Sequence, residues 1–159
     1  AFSTALDDYV VMPDAHFSYS QYGSSVYDGN PLLGYTGTRA YVLQMTSQAW
    51  RGPAEVDTTL WTHWVTIIVP EAEWLLGQVK DTALILINDG SIGEAAPNIN
   101  PSNPSNSAYR RLAAGTRTVI IELRSVPNQP LRFSDEAFSR RRFSCTMFKS
   151  RTLSSPRET

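Results

Sequence analysis

Few side chains in this sequence are placed to do chemistry. His16 and His63 are its histidines and Cys145 its single cysteine. They are far apart in the chain, and no spacing among them matches a metal-ligand pattern, so no metal and no cofactor is expected. The loop Asn88-Asp-Gly-Ser-Ile-Gly93 follows an apolar run. Its Asp89, Gly90 and Ser91 could present backbone N–H groups to a developing oxyanion; otherwise Gly90 serves only a tight turn. Gly90-Ser-Ile-Gly93 lacks the glycine spacing and the lysine of a phosphate-binding loop. Glu55 and Asp57 lie close to Arg51. Acid–base work would need both carboxylates in one cleft, so ion pairing that holds the Trp50 loop is the simpler reading. His63, between Trp61 and Trp64, reads as a structural histidine, and His16 as incidental.

The elements that must position these groups follow from periodicity. Thr4 caps a short helix with Asp7 and Asp8 in its first turn, and Pro13 ends it. Phe17, Tyr19 and Gln21 alternate with polar neighbours, as in a half-buried strand. Thr38–Ser47 and Trp61–Val69 are strands that could pair as a long-looped antiparallel hairpin. The organising stretch is Asp81–Arg124. It holds two aliphatic runs, Thr82–Asn88 and Arg117–Arg124, separated by the glycine loop, a Pro/Asn-rich segment and a helix over Ser105–Ala114. Ser105 or Asn106 would cap that helix and Gly115 would stop it. Aliphatic runs flanking a helix suggest a βαβ unit with parallel strands buried on both faces. The order strand, strand, strand–loop–helix–strand therefore predicts an α/β class, an incomplete α/β-hydrolase-like sheet. In that fold a serine sits on a G-x-S-x-G elbow. Gly23-Ser-Ser-Val-Tyr27 and Gly90-Ser-Ile-Gly93 both fail that pattern, and none follows residue 125.

Three stretches carry a resemblance: Ala5–Val10 with Pro13-Asp14, Thr46-Ser-Gln-Ala-Trp-Arg51 with Glu55-Val-Asp57 and Leu60-Trp-Thr-His-Trp64, and Val126–Leu131. Together they resemble the N-terminal part of the PhoPQ-activated pathogenicity-related family, from about Ala5 to Phe133. The resemblance implies an α/β-hydrolase-like fold in a longer, secreted or extracytoplasmic, virulence-associated protein with serine-hydrolase or peptidase activity. The family's nucleophile and triad would lie beyond this chain, so none of those residues transfers. The family's glycine-rich stretch is partly replaced here by Asn88-Asp89.

Composition adds an asymmetry. The chain of 159 residues is 42% hydrophobic, enough to bury a core, and has a formal charge of −1. Residues 1–138 hold 8 Lys+Arg against 14 Asp+Glu, whereas residues 139–159 hold 6 against 1. Residues 1–133 read as the hydrolase-like portion and 134–159 as a basic tail, disordered or a non-native reading. A mis-spliced or frame-shifted product past Phe138 would look like this. Arg140–Arg142 could touch anionic surfaces and Arg141-Arg-Phe-Ser144 fits a basic-directed phosphorylation site; a solvated tail accounts for both. The balance suggests no nucleic-acid partner, and no apolar run approaches the ~20 residues of a membrane span. The start at Ala1 fits a removed signal or a fragment boundary. The expected function is that of a family hydrolase's N-terminal half, inactive alone; the alternative is a secreted, non-catalytic signalling or binding protein using the aromatic surface of Trp50, Trp61 and Trp64. The run Val119–Leu123 would leave an apolar strand edge unpaired, predicting self-association.

Overall fold

Long alternating segments, not the aliphatic runs, set the frame of this chain. The computed structural model describes residues 4–30, 32, 36–71, 77 and 80–133. Strands β1 (Ser18–Tyr27), β2 (Thr38–Ala49) and β3 (Leu60–Pro70) pair antiparallel in sequence order. Val, Ile, Thr and Trp dominate β3, residues that fit a pleated, half-buried surface. The β2–β3 register skips one residue between Thr46 and Gln48, so Ser47 stands in a β-bulge.

Strand β4 (Ala83–Ile87) leads through the two-residue β5 (Gly90–Ser91) to helix α2 (Pro104–Thr116) and then to β6 (Val119–Leu123). The main sheet has the order β1-β2-β3-β6-β4. Strand β7 (Asn128–Gln129) pairs with β5 in a separate two-stranded sheet. Helix α1 (Ala5–Val11) opens on a capping box in which Thr4 and Asp7 satisfy each other's backbone N–H groups.

This sheet corrects the expected α/β-hydrolase-like class. Three of its four ladders are antiparallel, and only β4–β6 is parallel. It is a mixed, largely antiparallel sheet with two short described helices, of 7 and 13 residues. The sequence reading gave the aliphatic runs too much weight. Run length reports a tendency to be covered, while strand direction follows from register with the long polar-alternating strands. The two runs also differ in fate. Strand β6 is interior, between β3 and β4. Strand β4 is the edge, with Leu84, Ile85 and Ile87 exposed at 42%, 56% and 63%. The unpaired apolar edge therefore belongs to β4 and not to Val119–Leu123.

Helix α2 covers one sheet face. Ala113 packs with Ala40, Ile68 and Ile120, joined by Leu86, Ile99 and Tyr109. Its cap is Asn103, whose side chain accepts from the Asn106 N–H, with Pro104 at the start of the first turn where its missing donor costs nothing. The helix runs through Gly115 and ends on Arg117 in the left-handed region (φ 54°), so the expected glycine stop is not used.

Arg110 fastens this helix to the sheet. It is 2% exposed. Its Nε donates to Asn106 Oδ1 (2.5 Å), Nη1 to the carbonyl and hydroxyl of Thr38 (both 3.0 Å), and Nη2 to Ser25 Oγ (2.5 Å) and the Ile99 carbonyl (3.2 Å). Every acceptor is neutral, and burial pushes the guanidinium below its ordinary pKa.

Candidate functional site

The glycine loop, the start of β3 and the turn after β6 meet in one small cleft. Gln44, Thr62, His63, Trp64, Ser91, Gly93, Glu94 and Ser125 line about 50 Å³. The loop is held from both sides. Asn88 N–H donates to the Leu123 carbonyl (2.8 Å), and its own carbonyl accepts from Val126 N–H (3.2 Å). Ile92 N–H donates to the Gln129 carbonyl (2.7 Å) and Glu94 N–H to the Ser91 carbonyl (3.1 Å). Gly90 and Ser91 form the parallel ladder with Asn128 and Gln129. Two N–H groups of the loop are thus spent within the fold. Asp89 is exposed beside the cleft, while Ser91 lines it.

His63 is 5% exposed and bound at both nitrogens. Nδ1 lies 3.1 Å from the Arg124 carbonyl and Nε2 2.9 Å from Ser47 Oγ. A carbonyl only accepts, so Nδ1 carries the proton and Nε2 accepts from the serine hydroxyl. A nucleophile-and-base pair would show this tautomer, and so does a structural histidine with its ring satisfied. The third partner is a backbone carbonyl; no carboxylate orients the ring.

Charge gathers on the other wall. Glu122, 5% exposed, accepts from Asn88 Nδ2 (2.8 Å) and lies 3.2 Å from Arg124 Nε. Arg124 Nη1 reaches Glu94 Oε1 at 3.2 Å. Glu94 Oε2 is buried with no hydrogen-bond partner among the described residues. Trp64 Nε1–H donates to the Glu94 carbonyl (2.8 Å) and its ring stacks edge-on with Tyr22, centroids 5.1 Å apart. Ser125 is 2% exposed with φ 64°, a conformation L-residues rarely adopt.

The remaining candidates lie elsewhere. Arg51 pairs with Glu55 (2.9 Å) and sits over Trp50, its guanidinium carbon 4.9 Å from the ring centroid. Asp57 instead ties to Arg132, whose N–H donates to Asp57 Oδ1 (2.9 Å). The aromatic surface divides in two: Trp50 with Trp61 and Phe133 (5.4 and 6.1 Å), and Trp64 with Tyr22. His16 binds Asp14 at 2.9 Å beside a groove of about 620 Å³ between α1 and the end of β2. Asp14 also accepts from Ala49 N–H (2.8 Å), and its carboxyl is held below the ordinary value by the backbone N–H groups of His16 and Ala49, with the His16 side chain adding to the effect. Arg140–Arg142, Ser144, Cys145 and the run Trp74–Leu76 lie outside the described residues. Among the described residues no group of His, Cys, Asp and Glu could hold a metal ion, and no described helix is long and apolar enough to cross a membrane.

Sequence reasoning missed Ser47, Glu94 and Ser125. Ser47 meets His63 through the register of the β2–β3 hairpin, and Ser125 meets Glu94 because β7 folds back beside β5. Neither juxtaposition has a local signal in the sequence.

Comparison with known proteins agrees with the resemblance carried by the motifs. The sequence model described as PhoPQ-activated pathogenicity-related protein matches residues 6–142. It passes Phe133, where the residue-level likeness ended, and takes in the first part of the basic tail. Autocrine proliferation repressor protein A of Dictyostelium discoideum is 30% identical over 139 residues, covering 87% of this chain and 24% of that relative. No solved structure matches.

Proposed function

The chain belongs to the PhoPQ-activated pathogenicity-related protein family, and from that membership we propose that it is the N-terminal portion of a longer, secreted serine hydrolase or peptidase and does not catalyse by itself. It spans 24% of the length of its Dictyostelium relative. One observation in this portion carries the non-catalytic part of the reading. The cleft shared by the Asp89–Gly93 loop and His63 contains a carboxylate oxygen, Glu94 Oε2, with no partner among the described residues. A fixed negative charge there opposes the oxyanion that acyl transfer develops. The role expected for Asp89, Gly90 and Ser91 would need donors facing an electropositive space, and Arg124, the nearby cation, is shared between Glu94 and Glu122. Ser47 and His63 form a bonded pair, but His63 is buried and each ring nitrogen is committed.

The test compares this chain with a longer family protein containing it, using a fluorophosphonate probe and small ester and peptide substrates. The longer protein is expected to be labelled at a serine outside residues 1–133, and this chain to stay unlabelled. Labelling of this chain at Ser47, abolished by His63→Ala, would overturn the non-catalytic reading. Failure to label the longer protein would favour a secreted signalling protein, the role suggested by the name of the Dictyostelium relative.

A further inference from the structure

One carboxylate oxygen in the cleft has nothing to bond among the described residues. Glu94 Oε2 is buried and unpartnered. Ser125, 98% buried, places its Oγ toward the same space. Buried polar atoms are nearly always paired, so an unpaired Glu94 Oε2 beside the Ser125 hydroxyl asks for a reason. Both converge on Gly90. A Cβ on that residue would stand 2.8 Å from Ser125 Oγ and closer still to Glu94 Oε2. Ser125 also holds a strained backbone (φ 64°), and such strain gathers at ligand sites. The fold keeps an L-residue with a hydroxyl where glycine would sit more easily.

We infer that this cleft is a binding subsite for a small primary ammonium group, such as the amino terminus or a lysine side chain of a peptide. An ammonium brings three donors and one positive charge. Glu94 Oε2 and Ser125 Oγ supply acceptors, and Ser91, Thr62 and Gln44 complete a polar lining. The charges agree in sign. Glu94 and Glu122 place two carboxylates against the single guanidinium of Arg124. The cleft, at about 50 Å³, suits a headgroup and not a whole side chain. This inference concerns binding alone and holds whether or not the longer protein hydrolyses anything.

Ethylammonium is the probe, titrated into the ¹⁵N-labelled full chain at constant ionic strength, with acetate as the anion control. Trp64 is the reporter, because its indole N–H is bonded to the Glu94 carbonyl. A probe of three heavy atoms binds at about millimolar strength at best, so the titration runs to about one hundred times that. The expected result is a saturable shift of the Trp64 indole and Gly90 amide signals with ethylammonium and none with acetate. Glu94→Gln should weaken binding about tenfold or more and Ser125→Gly about threefold or more, the losses of a charged and a neutral hydrogen bond. Ser125→Gly suits the left-handed backbone, so it tests the hydroxyl in a chain that still folds. No saturation, an equal response to acetate, or unchanged affinity in both folded variants would overturn the inference.

Discussion

Arg110→Met is the sharpest test of what holds this fold together. Methionine keeps much of the stem and removes all five donors. The groups left behind are not equal. Ser25 and Thr38 hydroxyls can rotate and the Asn106 amide can turn, but the Thr38 and Ile99 carbonyls are fixed. The Ile99 carbonyl keeps the Ser25 hydroxyl as donor (2.7 Å), so the Thr38 carbonyl is the one that loses its side-chain donor, at about 1–3 kcal/mol. Against that stands relief of a buried guanidinium with no counter-ion, whose desolvation cost is visible in its lowered pKa. The net is a loss of about 1–2 kcal/mol, which for a chain of this size lowers Tm by about 2–8 °C. Thermal unfolding followed by circular dichroism reads it directly. Arg110→Lys, with three donors on a point charge, should fall between wild type and methionine. A methionine variant as stable as wild type, or more so, would refute the reasoning. The buried charge would then cost as much as its hydrogen bonds return, and apolar packing of Ala113 alone would hold α2.

Other outcomes follow from single observations. Thr66 is 2% exposed and its hydroxyl has no partner among the described residues; Thr66→Val should raise stability by about 1 kcal/mol and Tm by about 2–4 °C, and an unchanged or lower melting temperature would count against an unsatisfied hydroxyl. Asp14 and Asp7 have carboxyls below the ordinary value of 3.8, held by the backbone N–H groups of His16 and Ala49 and by the Thr4 hydroxyl and N–H respectively. Because the folded values are depressed, their hold on the N-terminal segment is complete above 3.8 and is lost as pH falls through the folded values; hydrogen exchange of residues 5–16 should rise over that range, and Asp14→Asn should raise it already at neutral pH. The free edge of β4, with Ile85 and Ile87 exposed, predicts concentration-dependent self-association that Ile85→Lys abolishes; light scattering that shows only monomer at high concentration would remove the idea.

What could be read in the sequence was whatever depends on near neighbours. The Thr4 cap with Asp7 at its third position, the β2 and β3 runs, and the helix before β6 all carry their evidence within a few residues, and all formed. The errors came where a local pattern needed a distant partner to decide it. Thr82–Asn88 and Arg117–Arg124 look alike in the sequence, yet one is an edge strand and the other interior, because β6 enters between β3 and β4. Gly115 looked like a stop, but a glycine followed by Thr116 and a left-handed Arg117 let the helix run two residues further.

The same limit explains the site. Arg110 finds its acceptors 72 and 85 residues away, at Thr38 and Ser25, and nothing near Arg110 announces a buried guanidinium. Glu94 and Ser125 meet only because Asn128 and Gln129 pair with Gly90 and Ser91. A glycine in a loop was legible as a turn. That it also keeps a Cβ out from between a carboxylate and a hydroxyl required the fold. The two roles separate in one substitution. Gly90→Ala leaves the turn conformationally permitted, since Gly90 has no positive φ, but drives a methyl group against Glu94 and Ser125. If glycine is there for the turn, alanine costs little. If it is there for the cleft, alanine displaces both oxygens, and the Trp64 indole signal should move before any ligand is added.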